Sequence, residues 1–265
     1  MMATGAPMPL ALLTLRIAVF VLFHPTQLEV RPAVGNVLAI ESEGQTRVLE
    51  PGSSARFDLS APALTRVTGR AGRETDFVLS VPGKIERRFH GVLEVRRKQD
   101  ELQSVVTMDR EIAVASAVAA ESPPGEALEG QKAQAVVSRS FYAAARGRHT
   151  GFDYCDTTHC QFLRQPPGAG ELAFEAAAAT RNLVLAYRGA VFPALYSANC
   201  GGHTDALGQT GGYTYFAVEC PMRGEREGHG IGLCQRGAAK MAAQGANFRT
   251  ILEHYYPRTT MVQMK

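Results

Sequence analysis

Apolar and polar positions alternate along most of the first hundred residues. LEV, NVLAI, TRVLE, ARFDLS, TDFVLSV, RRFHGVLEVRR and LQSVVTM are short β-rich runs separated by Gly, Pro and Ser turns. FHGVLEVR alternates residue by residue, as a strand does when one face of its sheet lies on a core. The first run, LRIAVFVLF, passes into HPTQLEVRPA, so 15–31 reads as the opening strands. The longer stretch PLALLTLRIAVFVLF (9–23) looks like the apolar part of a signal peptide. No Lys or Arg precedes it, however, Arg16 interrupts it, and no small-x-small site follows. It is also short and interrupted for a transmembrane helix. Residues 1–14 are expected to be disordered or the remnant of a leader.

The pattern changes at Asp109. REIAVASAVAAE (110–121) is Ala-rich and helix-like, and SPPGEALEGQKAQAVVSRSFYAAAR (122–146) follows it. Pro and acids at the start of the second segment and Arg at its end suit a helix and its dipole. Glu121 is thereby expected at a helix end beside a sharp Ser-Pro-Pro corner. A further helix is expected at 172–180, then a hairpin over 182–202 turning at Arg188–Gly189. A loop follows over 203–228, then a glycine-rich turn and two helices. The expected fold class is α+β. A β-rich domain over 15–108 is joined to a mixed helix/strand domain over 109–265 that carries the chemistry.

Composition narrows the function only a little. In 265 residues, a net charge of +3 is too small to argue for nucleic acid and does not repel an anionic polymer. Trp is absent, which removes the commonest sugar-stacking residue and leaves 8 Tyr and 12 Phe. The 5 cysteines cannot all pair within one chain, so at least one is a free thiol or a metal ligand.

The cysteines matter most in HTGFDYCDTTHC (149–160). His149, Cys155, His159 and Cys160 are the donor types zinc prefers. The spacing is unlike a zinc finger, and a Cys155–Cys160 disulfide with two ordinary histidines explains the stretch equally well. If a metal binds, Asp153 and Asp156 are placed to orient a ligand histidine. Glu121 at a helix C-terminus faces the negative end of the dipole, which raises a carboxyl pKa toward the range of a general acid. A surface glutamate is the bland alternative. YSANCGGHT (196–204) offers Cys200 and His203 as thiol and base, or a close-packed turn with a buried cysteine, which is favoured. GHGIGLCQRGA (228–238) is a glycine-rich turn before a helix, without the Lys-Ser/Thr of a phosphate loop.

Together these blocks carry a resemblance. AAESPPGEALEGQKAQAVVSRSFYAAARGRHTGFDYCDTTHCQ, then YSANCGGHT, then GHGIGLCQRGAAKMA and ILEHYYP, resemble in order the blocks of the stage II sporulation protein D (SpoIID)/LytB family. The likeness spans roughly 15–260 and implies a peptidoglycan lytic transglycosylase. Such an enzyme cleaves the bond between N-acetylmuramic acid and N-acetylglucosamine in glycan strands stripped of stem peptides, leaving 1,6-anhydro ends. Glu121 matches the family's catalytic glutamate. His149, Cys155, His159 and Cys160 match its zinc-binding segment, which implies a structural zinc pinning that loop beside the groove. Because their blocks must converge on Glu121, Gln134, Arg139, Tyr196, Ser197, His229 and Gln235 are the expected substrate-binding residues.

The resemblance also implies glycan strands as partner, no nucleic acid, and a place in the cell envelope. Other members are amidase enhancers, so a non-catalytic wall protein acting with an amidase is the main rival. A zinc hydrolase and a Cys200 thiol enzyme follow it. Sporulation itself is not implied. This sequence departs from the family pattern in a short segment between YSANCGG and GHGIG that lacks the usual tryptophan stretch. It also has Cys234-Gln235 where the family usually has Met then Ser.

Overall fold

The structure is a computed structural model that describes residues 13–264. The expectation for 1–14 therefore lies almost entirely outside the described residues. The fold is α+β, with five α-helices and seventeen strands among the described residues. In order these are β1 (Thr14–Val19), β2 (Gln27–Pro32), β3 (Leu38–Ser42), β4 (Gln45–Leu49), β5 (Ala55–Asp58), β6 (Leu64–Thr68), β7 (Thr75–Val81), β8 (Ile85–Lys98), β9 (Glu101–Asp109), α1 (Arg110–Glu121), α2 (Leu128–Ala144), β10 (Tyr154–Cys155), α3 (Leu172–Ala179), β11 (Leu183–Tyr187), β12 (Ala190–Val191), β13 (Tyr196–Ser197), β14 (Leu207–Thr210), β15 (Tyr213–Tyr215), β16 (Leu233–Cys234), α4 (Gln235–Ala243), α5 (Phe248–Tyr255) and β17 (Thr260–Gln263). They form two compact units. An N-terminal unit holds the described residues up to Ala113 together with 147–166. A C-terminal unit holds 114–146 and everything from Pro167 onward.

In the N-terminal unit the expected strands all form, in one ten-stranded, nearly closed sheet. Its path runs β10-β1-β9-β8-β6-β3-β4, with β7, β2 and β5 branching from β8. β8 makes the branch because it changes partner half-way. Ile85 to Gly91 pairs with β7, and Val92 to Lys98 pairs with β9. The change falls on Gly91, at φ 145, where a Cβ would collide with the carbonyl oxygen of Thr107. Only glycine lets the two backbones approach so closely. Inward residues of the strands fill the core. Among them Phe89 packs edge-on to Phe20 at 5.8 Å and tilted to Phe77 at 5.9 Å.

The C-terminal unit is built around α2, which is buried along most of its length against α3, α4, α5 and β11. An aromatic cluster of Phe192, Tyr213, Tyr215, Tyr255 and Tyr256 fills the rest of the core. The hairpin turn expected at Arg188–Gly189 is present, with φ of 51 and 81, the left-handed pair that a two-residue hairpin turn requires. Its return arm is only β12, however. The chain then leaves that sheet, β17 occupies the other edge of β11, and β13 pairs in parallel with β16. Within 203–228, expected as a loop, β14 and β15 pair across Gly211–Gly212.

Substituting Gly91→Ala is expected to lower the stability of the full chain by about 2–3 kcal/mol, because the corner must take both an unfavourable φ and a steric conflict. Urea denaturation of the variant beside the wild type measures this.

Candidate functional site

The site begins where α1 ends. Asp109 caps the start of that helix, its Oδ1 accepting from the N–H of Glu111 at 2.7 Å and of Ile112 at 3.3 Å. Its end is set by Ser122-Pro123-Pro124, since a residue before proline is driven out of helical geometry. Glu121, the last helical residue, is half-buried.

Two distant segments meet at this glutamate. The Tyr196 hydroxyl donates to Glu121 Oε1 at 3.0 Å. Gln235 Nε2 donates to the Glu121 backbone carbonyl at 2.9 Å, lies 3.4 Å from Glu121 Oε2, and lies 3.5 Å from Gln134 Oε1. Gln134 in turn donates to the Ser138 hydroxyl at 3.1 Å. The parallel pairing of Tyr196 with Leu233, two residues before Gln235, brings both Glu121 partners together at one short ribbon and the helix start that follows it. Burial first, and the charge of Glu121 second, hold the Tyr196 hydroxyl well above the ordinary tyrosine pKa, so it stays a donor.

The other expected groove residues take different places. His229 is exposed overall, its Nδ1 accepting from the Ile231 N–H at 3.0 Å while the ring also hydrogen-bonds the Tyr196 backbone. Enclosure on one side lowers its pKa, which keeps the imidazole neutral near pH 7. Ser197 is buried, and its hydroxyl has no hydrogen-bond partner among the described residues. Arg139 has no exposed surface; its guanidinium donates to the carbonyls of Leu183 at 3.0 Å, Ala177 at 3.2 Å and Ala135 at 3.4 Å. It thus braces α2 against α3 and β11. Cys200 is buried and its thiol pKa is raised, chiefly by desolvation, while His203 is exposed and faces Asp205 at 3.9 Å. That is not a nucleophile beside its base.

His149, Cys155, His159 and Cys160 come together in the N-terminal unit. One donor atom from each lies within 4.8 Å of the others. His149 Nε2 is 3.2 Å from Cys160 Sγ, and His159 Nδ1 is 3.8 Å from Cys160 Sγ and 3.9 Å from Cys155 Sγ. The cysteines are buried, His149 is half-buried and stacked on Phe152 at 4.5 Å, and His159 is exposed. Within the pair, the Cys160 thiol hydrogen-bonds to Cys155 and pulls the Cys155 pKa down, while its own rises. One thiolate is thus favoured beside one protonated thiol. A cavity of about 290 Å³ lined in part by His149, Cys155 and His159 opens beside the group and gives solvent a way in.

The loop is fastened to β1 through its acids. β10 pairs in parallel with β1, and Asp153 Oδ2 accepts from the Arg16 N–H at 2.9 Å. Asp156 accepts from the N–H groups of Phe20 at 2.7 Å and Val21 at 3.2 Å, with Arg87 at 3.8 Å. Asp156 was expected to orient a histidine. It binds backbone instead, because Phe20 turns into the left-handed region (φ 63) and leaves those two N–H groups without strand partners.

One titratable residue beside the site escaped the sequence reading. Glu126, five residues beyond Glu121, is buried, and that burial pushes its pKa up to about 7, with the Ser122 hydroxyl pulling the other way. Gly130 makes room for it, since a Cβ there would collide with the Glu126 carboxylate. The cue in the sequence was a glycine one helical turn after an acid, which is too common to act on.

Against known proteins, the family described as stage II sporulation protein (SpoIID) matches residues 98–187. The matched segment holds Glu121, Gln134, Arg139 and all four residues of the Cys/His group, and ends before Tyr196, Ser197, His229 and Gln235. It points to a cell-wall-related, extracytoplasmic role. No curated protein matches the chain. Among the described residues no helix is long and apolar enough to cross a membrane.

Because Glu126 holds its proton in the fold up to about pH 7 but loses it near 4.5 when unfolded, its contribution to stability is full below 4.5. That contribution falls as pH rises through this window, by up to about 3 kcal/mol. Glu126→Gln should remove this loss, so urea denaturation at pH 5 and pH 8 should show the variant gaining on the wild type at the higher pH.

Proposed function

We propose that this chain, whose residues 98–187 match the SpoIID family, is a lytic transglycosylase acting on peptidoglycan glycan strands with Glu121 as its single acid/base. The observation that carries this reading is the convergence of Tyr196 and Gln235 on the Glu121 carboxylate. Neutral donors from two separate segments thus reach both carboxylate oxygens and fix the orientation of the group. A hydrolase that adds water to a glycosidic bond normally needs two carboxyl groups. A transglycosylase uses the 6-hydroxyl of the muramic acid itself, and one carboxyl then suffices.

In this mechanism protonated Glu121 gives its proton to the glycosidic oxygen as the bond from C1 to that oxygen breaks. The 6-hydroxyl oxygen then bonds to C1, and its proton passes to the Glu121 carboxylate, which restores the acid. The attack is intramolecular, and holding the sugar in the groove supplies its advantage. Tyr196 keeps Glu121 Oε1 in line, and Gln235 fixes the end of α1 through the backbone carbonyl. His229 hydrogen-bonds the Tyr196 backbone and the Ile231 N–H and so helps hold Tyr196 in place.

His149, Cys155, His159 and Cys160 would hold zinc. Two thiols and two imidazoles already within 4.8 Å are the donor set of a closed tetrahedral site. A zinc bound there would be structural, cross-linking the 149–160 loop. Arg148 donates to His159 Nε2 at 3.2 Å, which requires the ring proton on Nδ1. Ligation through Nδ1 would move that proton to Nε2 and break the Arg148 bond.

Mass spectrometry of products from denuded glycan strands tests the proposal. The wild type should release 1,6-anhydro sugars. Glu121→Gln should lose at least about 100-fold in rate and Tyr196→Phe about tenfold, with circular dichroism unchanged. Full release by Glu121→Gln would sink the assignment. No release by the wild type, together with stimulation of an added amidase, would establish the rival enhancer role.

A further inference from the structure

The C-terminal unit contains a second group of metal-binding side chains. Cys200, Cys220 and Cys234 are all buried, and their three sulfurs lie within 4.8 Å of one another. They come from three segments: the turn after β13, the loop after β15, and the end of β16. In a site with metal–sulfur bonds of about 2.3 Å, the sulfurs stand about 3.8 Å apart, so the three need to close by no more than about 1 Å.

The surroundings are arranged for negative sulfur. The Cys234 sulfur accepts from the N–H of Cys200 and of Gly237, each at 3.3 Å, and caps the start of α4, where the helix dipole favours an anion. The Arg223 guanidinium donates to the carbonyls of Cys220 at 2.6 Å and Gly202 at 2.9 Å, and Arg226 donates to the carbonyl of Cys200 at 3.2 Å. Arg223 thus brings a positive charge to the backbone that carries the thiols, while Arg226 contributes a hydrogen bond and pairs its charge with Asp205. The Tyr255 hydroxyl is 3.2 Å from Cys220 Sγ and places an oxygen beside the three sulfurs. Gly237 leaves the space open: a Cβ there would collide with both Cys220 Sγ and Tyr255 Oη. Three inert cysteines in an apolar core would need neither the N–H donors nor the guanidinium groups. A disulfide would join two sulfurs and leave the third.

We propose that Cys200, Cys220 and Cys234 form a second, structural site for a thiophilic divalent ion, zinc, separate from the His149–Cys160 group. Binding releases the thiol protons to solvent and needs no oxidant. Its consequence is positional. Cys200 is four residues beyond Tyr196 and Cys234 immediately precedes Gln235, so one ion ties together the two segments that hold Glu121.

The test uses the full chain purified with zinc. Metal is counted by plasma mass spectrometry in the Cys155→Ser/Cys160→Ser variant, which removes the other group. That variant should retain one zinc per chain, and adding Cys200→Ser/Cys234→Ser should bring it to none. Should the fourfold variant fail to fold, alkylation of the native wild type with peptide mapping decides. Cys200, Cys220 and Cys234 should become reactive together only after a chelator is added. Absence of zinc from the first variant, alkylation indifferent to chelator, or a disulfide-linked peptide among the three would each overturn the site. None of these readouts depends on glycan cleavage, so the proposal stands or falls apart from the transglycosylase reading.

Discussion

The hydrogen bond from Tyr196 to Glu121 is the contact around which the candidate site of the C-terminal unit is organised. A half-buried carboxylate at a helix end is poorly placed by itself, because the last turn of a helix presents unpaired carbonyls and the negative end of its dipole. Here that end is stabilised from outside the helix. Gln235 satisfies the Glu121 carbonyl, and Tyr196 satisfies a carboxylate oxygen. Tyr196 lies in a parallel ribbon of two residues on each side, and Gln235 directly follows its second strand. Such a ribbon is too short to be stable alone, so its geometry rests on what packs behind it. Tyr256 supplies part of this, donating to the Leu195 carbonyl at 2.6 Å and accepting from the Leu233 N–H at 3.2 Å. The buried sulfurs of Cys200 and Cys234 flank the same ribbon.

The two cysteine-containing groups obey one physical rule in different settings. Thiols that converge in a fold must be neutral, oxidised to disulfide, or bound to an ion, because neighbouring thiolates repel. In the 149–160 loop the mixture of thiol and imidazole sits beside a cavity, and the acids around it anchor backbone. In the C-terminal unit the sulfurs are enclosed in the core, where backbone N–H groups point at Cys234 and arginines bond the carbonyls of Cys200 and Cys220. The sheet of the N-terminal unit answers a different constraint. A strand as long as β8 can serve two sets of partners only if it bends, and Gly91 is the point at which it does so.

Much of this was legible along the chain. Alternation over 15–108 implied the sheet, because a strand with one buried face must alternate. The Ser-Pro-Pro corner implied the helix end at Glu121, because proline forbids continuation. The turn at Arg188–Gly189 was equally local. The donor types within 149–160 named four residues that meet in the fold, and His159, adjacent to Cys160, directs Nδ1 at both sulfurs.

What the chain order could not contain is which distant residues share a pocket. Arg139 and Gln134 lie on the same helix five residues apart, yet one braces the core and the other reaches toward Glu121 through Gln235. Their side chains are of similar polarity, and only the packing of α2 separates their roles. Cys200, Cys220 and Cys234 are spaced by 20 and 14 residues, a pattern with no local meaning until β13 and β16 pair. Glu126 is an ordinary acid in a polar turn until the fold closes over it. The sequence by itself determined the elements and their ends, which depend on residues a few positions apart. The tertiary structure decided the sites, because charge balance, desolvation and metal-ligand geometry depend on side chains that only folding brings within a few ångströms.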